Sequence, residues 1–262
     1  MTGPLETSLR RARDGGRKLL VPYVTGGIGD DWTEVVAALA GAGADAIEIG
    51  IPFSDPVMDG PTIQAASARA LERGTTPSTI MADLARVDAG APLLAMTYYN
   101  LVFRAGHRRF ASELARAGVS GVIVPDLPLE ESEGWEADAA AAGIETTLLA
   151  APVTPDERLA RIAARSRGFV YAVGLMGVTG ERAAVASSAG MLARRLKSVT
   201  DKPVLIGFGI STPAHAVAAA EAADGVVVAS ALMRRYLDGA SPDELGAQVA
   251  EIRDALDRCG GS

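Results

Sequence analysis

The feature that most restricts what this chain can fold into is an eightfold alternation of short β-branched apolar runs with amphipathic stretches. The runs cover residues 19–25, 46–51, 92–98, 121–125, 144–150, 169–173, 203–207 and 225–229. Between them, apolar residues recur at helical spacing over about 30–42, 62–73, 78–88, 107–117, 129–142, 155–166 and 212–222. A long loop over 174–190 leads into a further helix to about residue 199. A short amphipathic helix over 5–13 precedes the first strand, and two helices follow the last. Such alternation leaves two architectures, a closed (β/α)8 barrel or an open doubly wound sheet. The turn Gly26-Gly27-Ile28-Gly29 lacks the glycine spacing of a dinucleotide-binding sheet. The count of eight and the placement of polar residues favour the barrel. The expected class is therefore α/β, one TIM-barrel domain over residues 1–262 with extra short helices.

Composition narrows the function. A chain of 262 residues that is 48% apolar can bury one large core. Its net charge of −7 argues against a nucleic-acid or anionic membrane surface, because phosphate backbones require a basic stripe. Cys259 is the only cysteine, so no disulfide framework exists and a reducing cytoplasm is expected. The residues through Lys18 carry four arginines and no apolar run, unlike a signal peptide, and nothing later reads as a membrane span.

Chemistry concentrates in residues 45–64. Glu48 is a lone carboxylate in mid-strand, on the opposite side from Ile47 and Ile49. Pro52, Pro56, Gly60 and Pro61 stop strand and helix alike, so 53–61 must be a stiff loop, and it carries Asp55 and Asp59. In a barrel the active site forms at the carboxyl ends of the strands. Asn100, Asp126, Ser211 and Ser230 also follow strands, whereas Asp45 and Asp224 precede them and belong to the opposite end. The lysines, Lys18, Lys197 and Lys202, all miss the carboxyl ends, which argues against Schiff-base chemistry. His107 and His215 fall at helix starts and, with one cysteine, build no metal site. Proton transfer by carboxylates remains. The turns Gly207-Phe208-Gly209-Ile210-Ser211 and Ala229-Ser230 offer backbone amides and helix starts where barrels commonly hold phosphate, and Gly180 adds a further amide.

These residues resemble the tryptophan synthase alpha chain family. The resemblance rests on the run from Glu48 to Gln64, on Asn100-Leu101-Val102-Phe103, Pro125-Asp126-Leu127-Pro128 and Gly177-Val178-Thr179-Gly180, and on 207–211. It implies cleavage of indole-3-glycerol phosphate into indole and glyceraldehyde 3-phosphate. By that resemblance Glu48 is the acid–base residue and Asp59 the carboxylate that accepts the indole N–H. The amides of Gly180, Gly209 and Ser230 would hold the phosphate. Tyr171, Leu101, Phe208 and Phe53 are candidates for the indole slot, with plain core packing the alternative for each, and Thr179 would bond Asp59 on loop closure. No metal and no cofactor are implied in this chain; pyridoxal phosphate would belong to a partner beta subunit of an alpha2beta2 complex. Ala229 stands where the family usually has glycine, and an alanine N–H still donates if its φ is negative. A free-standing lyase of specialised metabolism, or an idle activator subunit, are the competing readings.

Overall fold

Side chains on successive strand residues point to opposite faces, so each strand must satisfy two different environments. A computed structural model describes residues 2–174, 182–207 and 209–260. Eight parallel strands close into one barrel in sequence order. They are β1 (Leu19–Thr25), β2 (Ile47–Gly50), β3 (Leu93–Met96), β4 (Val119–Ile123), β5 (Glu145–Ala150), β6 (Val170–Ala172), β7 (Val204–Ile206) and β8 (Gly225–Val228). The expected (β/α)8 barrel is thus the observed one.

One parity of residues lines the barrel interior. Leu19, Val21, Ala46, Leu94, Ile123, Phe169, Tyr171, Leu205 and Val227 form a single buried cluster. The other parity, including Leu20, Ile47, Ile49, Val122 and Val226, packs outward against the helical layer. The helix α1 (Pro4–Asp14) supplies the floor: Leu5 and Leu9 are wholly buried in the interior cluster. Glycine makes room for this plug, since a Cβ on Gly121 would lie 2.5 Å from Leu5 Cδ2. The carboxylate of Glu145, at the start of β5, accepts the Leu5 amide at 2.7 Å and the Glu6 amide at 3.1 Å. Helix amides at an N-terminus have no partner within the helix, so this distant acid supplies one. Glu145→Ala is expected to lower the unfolding free energy by roughly 2–4 kcal/mol, because two buried amides lose their acceptor. A urea titration checks it; a loss below about 1 kcal/mol would mean that water replaces the carboxylate there.

The helical layer comprises α2 (Trp32–Gly41), α3 (Pro61–Glu72), α4 (Pro77–Leu84), α5 (Tyr99–Ala105), α6 (His107–Arg116), α7 (Glu133–Ala141), α8 (Asp156–Arg165), α9 (Arg182–Lys197), α10 (Pro213–Ala220), α11 (Ser230–Leu237) and α12 (Pro242–Gly260). Three differences from the sequence reading have physical causes. Helix α9 starts at Arg182, well inside the stretch expected to be loop; Gly190 is absorbed in its interior, at a cost of only ~1 kcal/mol against alanine. Helix α5 was not anticipated, and Gly106, with φ of 84°, is the joint that separates it from α6. Strand β4 lies two residues earlier than expected, its register shifting between Leu93 and Leu94. Asp45 and Asp224 do sit at the floor end: Asp45 accepts the Leu20 amide and Arg17, and Asp224 accepts the Val204 amide.

Candidate active site

Parity places the acid. Ala46 and Glu48 belong to the inward set of β2, and Glu48 pairs in register with Tyr23 on one side and Leu94 on the other. The Glu48 side chain is therefore held inside the barrel rather than in water, with 4% exposure, and its Oε2 has no hydrogen-bond partner among the described residues. Burial, and then the nearby charge of Asp59, push its carboxyl from an ordinary 4.5 up to about 8. At neutral pH Glu48 carries its proton.

Asp59 reaches the same mouth from the loop ahead of α3. Pro61 is the first residue of that helix, where a missing N–H costs nothing, so the loop must stop at Gly60. The loop is bonded on both sides of the acid: Asp59 N–H donates to the Pro56 carbonyl at 3.0 Å, and Gln64 Nε2 donates to the Asp59 carbonyl at 2.9 Å. Tyr98, 2% exposed just past β3, organises the rest. Its hydroxyl donates to Asp59 Oδ2 at 2.9 Å and accepts the Met58 amide at 3.0 Å, while its ring stacks on Phe53 with centroids 5.1 Å apart. Burial raises the Asp59 carboxyl to about 6, and the Tyr98 bond works against that rise. At pH 7 the pair is then a protonated Glu48 and an ionised Asp59. Two carboxyls whose environments separate their proton affinities are suited to act as acid and as charge stabiliser.

Tyr171 and Tyr23 complete the wall. Tyr171 is 9% exposed in β6, and burial followed by the charges of Glu48 and Asp59 pushes its hydroxyl well above its ordinary range. Its ring lies against Gly207, where a Cβ would be 2.0 Å from Tyr171 Cε2, so the tyrosine occupies space that only glycine leaves open. Tyr23 is buried beside it, its hydroxyl accepting from Thr25 Oγ1 at 3.2 Å and packed where Gly50 lacks a side chain.

The sequence reading omits Tyr23 and Tyr98. The signal was present, since both share the inward parity of their strands, but an aromatic at such a position is ordinarily core. Leu101 lies on α5, the helix that follows β3, half-buried against the large apolar cluster to which Tyr23 also belongs. Gly209 follows β7 with φ of 73°, a left-handed conformation that glycine adopts without strain. Thr212 caps α10 by accepting the His215 amide at 3.2 Å. Ser230 is the exposed first residue of α11, and Ala229 before it has φ of −115°, which lets an alanine N–H serve there. Thr179, Gly180 and Phe208 lie outside the described residues. Among the described residues no group of three or more His, Cys, Asp or Glu is placed to hold a metal.

Sequence and structure comparisons converge on one family. The tryptophan synthase alpha chain family model matches residues 9–255. The chain is 45% identical over 252 residues to the tryptophan synthase alpha chain of a Picosynechococcus species, covering 94% of this chain and 95% of that one. It is 46% identical over 258 residues to the alpha chain of Thermobifida fusca, covering 96% of each. A structure of Mycobacterium tuberculosis tryptophan synthase superposes with a TM-score of 0.90 at 37% identity, covering 98% of this chain and 99% of that one. With that likeness running through nearly the whole barrel and the acid-bearing loop at its mouth, the chain belongs to the tryptophan synthase alpha chain family.

Proposed function

We propose that this chain cleaves indole-3-glycerol phosphate to indole and glyceraldehyde 3-phosphate by acid–base retro-aldol chemistry. The observation that carries the reading is the buried Glu48 carboxyl, raised to about 8, beside a loop that presents Asp59. Glu48 gives its proton to indole C3, which turns the ring into a cationic indolenine and a good leaving group. Asp59 accepts the ring N–H and balances that positive charge. Glu48, now ionised, takes the proton of the glycerol hydroxyl next to the ring. The carbon–carbon bond breaks as the aldehyde forms, and its electron pair returns to the indole. The proton moves in net from hydroxyl to C3, so Glu48 ends as it began.

The phosphate is assigned to the amides of Gly209 and Ser230, with Gly180 as a third donor. The start of α11 suits a dianion, since its first amides lack partners in the helix and its dipole is positive there. Tyr171, Phe208 and Leu101 are proposed to line the indole slot, with Thr179 bonding Asp59 when the loop closes. The chain is proposed to need no cofactor of its own.

The partner in this reading is a tryptophan synthase beta subunit carrying pyridoxal phosphate. In support, large apolar side chains stand in water after β2 and β3: Val57 is 76% exposed, Met58 48% and Phe103 66%. Exposed apolar groups gathered near one mouth mark a surface that another protein covers. The complex would be cytoplasmic; the one cysteine is exposed and free, and no helix of the described residues is long and apolar enough to cross a membrane. The test is to supply indole-3-glycerol phosphate to the chain, alone and with a beta subunit, and to measure indole. Indole release is expected in both and faster in the second; no indole in either would overturn the reading.

A further inference from the structure

Helices α11 and α3 pack against each other, Leu232, Met233, Ile63 and Ala66 all being buried. Two guanidinium contacts cross that seam. Arg234 Nη2 donates to Thr62 Oγ1 at 2.6 Å, and Arg69 lies over the Tyr236 ring, 5.6 Å from its centroid. The first of these has a notable location. Arg234 is four residues after Ser230, one helical turn from the start of α11 and on the same face. Thr62, 7% exposed, is in the first turn of α3, three residues after Asp59. Apolar packing already holds the helices together, so a bond from an exposed arginine adds little to stability. What it does is join the turn that would grip phosphate to the turn from which Asp59 hangs.

We propose that the Arg234–Thr62 hydrogen bond is a positioning contact for the lyase reaction, tying the phosphate-binding start of α11 to the orientation of Asp59. The inference rests on the reading of the site given above. Neither residue is assigned a contact with the reacting atoms; both act through Asp59. Phosphate seated on the Ser230 amide fixes α11, Arg234 carries that constraint to Thr62, and the Asp59 loop is held at the distance at which its carboxylate meets the ring N–H. Gln64, two residues after Thr62 on α3, donates to the Asp59 carbonyl, so a shift of that helix end reaches the Asp59 loop directly.

The test compares Thr62→Val, Arg234→Met, the double variant and Thr62→Ser, with kcat and KM for indole-3-glycerol phosphate and the thermal midpoint measured for each. Thr62→Val keeps the volume and replaces the hydroxyl that accepts from Arg234 by a methyl group. Each single variant is expected to lose about tenfold in kcat, with KM changed less than about twofold, because misplacing a charge-stabilising group acts on the transition state. The double variant should be no worse than either single one, and Thr62→Ser should restore the rate. Unchanged kcat in either variant, losses that multiply in the double, or a serine variant as slow as the valine one would each overturn the proposal. If the unaltered chain itself releases no indole, the reading of the site fails and this inference with it. An active chain with indifferent variants removes the inference alone.

Discussion

Glu48→Gln is expected to leave only a small residue of indole formation while the barrel folds and still binds phosphate. The amide fills the same volume inside β2 but has no proton to give to C3 at any pH. A positioned acid–base group contributes ~10²–10⁴ in rate, so the residual turnover should fall by about that factor. Retention of more than about a tenth of the rate would remove the assignment. The same variant has a second, opposite effect. A carboxyl whose folded value stands at about 8 against an ordinary 4.5 favours the fold only while protonated. Its stability is fully present below about 4.5 and is lost as pH climbs through 8. Above that the buried charge costs on the order of a few kcal/mol, which the neutral glutamine does not incur. In urea titrations the variant should match the parent near pH 4 and exceed it near pH 9. Loss of activity together with a gain in alkaline stability is the signature of an acid placed for chemistry rather than for packing. Equal stability of the two proteins near pH 9 would show that Glu48 reaches water.

Asp59→Asn is expected to lower kcat by roughly 10²–10³, the range seen when one preorganised charge-stabilising group is removed. Asparagine still accepts from the Tyr98 hydroxyl, so the loop should hold its place; what disappears is the negative charge opposite the indolenine. The pH profile of kcat/KM discriminates this role from a merely structural one. In the parent, activity should rise as Asp59 ionises through about 6 and fall as Glu48 loses its proton through about 8. In the variant the rising limb should vanish. The falling limb should move to lower pH, because the Asp59 charge no longer holds the Glu48 proton in place. An acid limb that persists unchanged near pH 6 would assign it to another group and sink the pairing.

How far the chain could be read without its fold differs from residue to residue. Glu48 was legible because a carboxylate in mid-strand, opposite Ile47 and Ile49, has only two places to go. The proline- and glycine-bound loop after it made the inward one credible. The barrel was legible because eight strand–helix units leave few closures. Tyr98 was not, since nothing local says that a tyrosine ending β3 meets a loop forty residues earlier in the chain; its bond to Asp59 spans |i−j| of 39. The floor was equally hidden: the amphipathic pattern of α1 showed a helix with an apolar face, and only closure revealed that Leu5 and Leu9 fill the barrel bottom and that Glu145 completes its amides. Helix α9 runs from Arg182 through Gly190, where the expected loop ended, because a glycine's weak helix preference is overridden by the structure around it.

The sequence by itself therefore determined the periodicities, the stops and which carboxylates stood beside strand ends, because those depend on residues adjacent in the chain. Tertiary structure alone decided what each carboxylate is. Glu48 and Asp59 differ from ordinary surface acids only through the water they lose, the charge they share and the Tyr98 hydroxyl between strand and loop. Each of those arises from groups brought together by barrel closure.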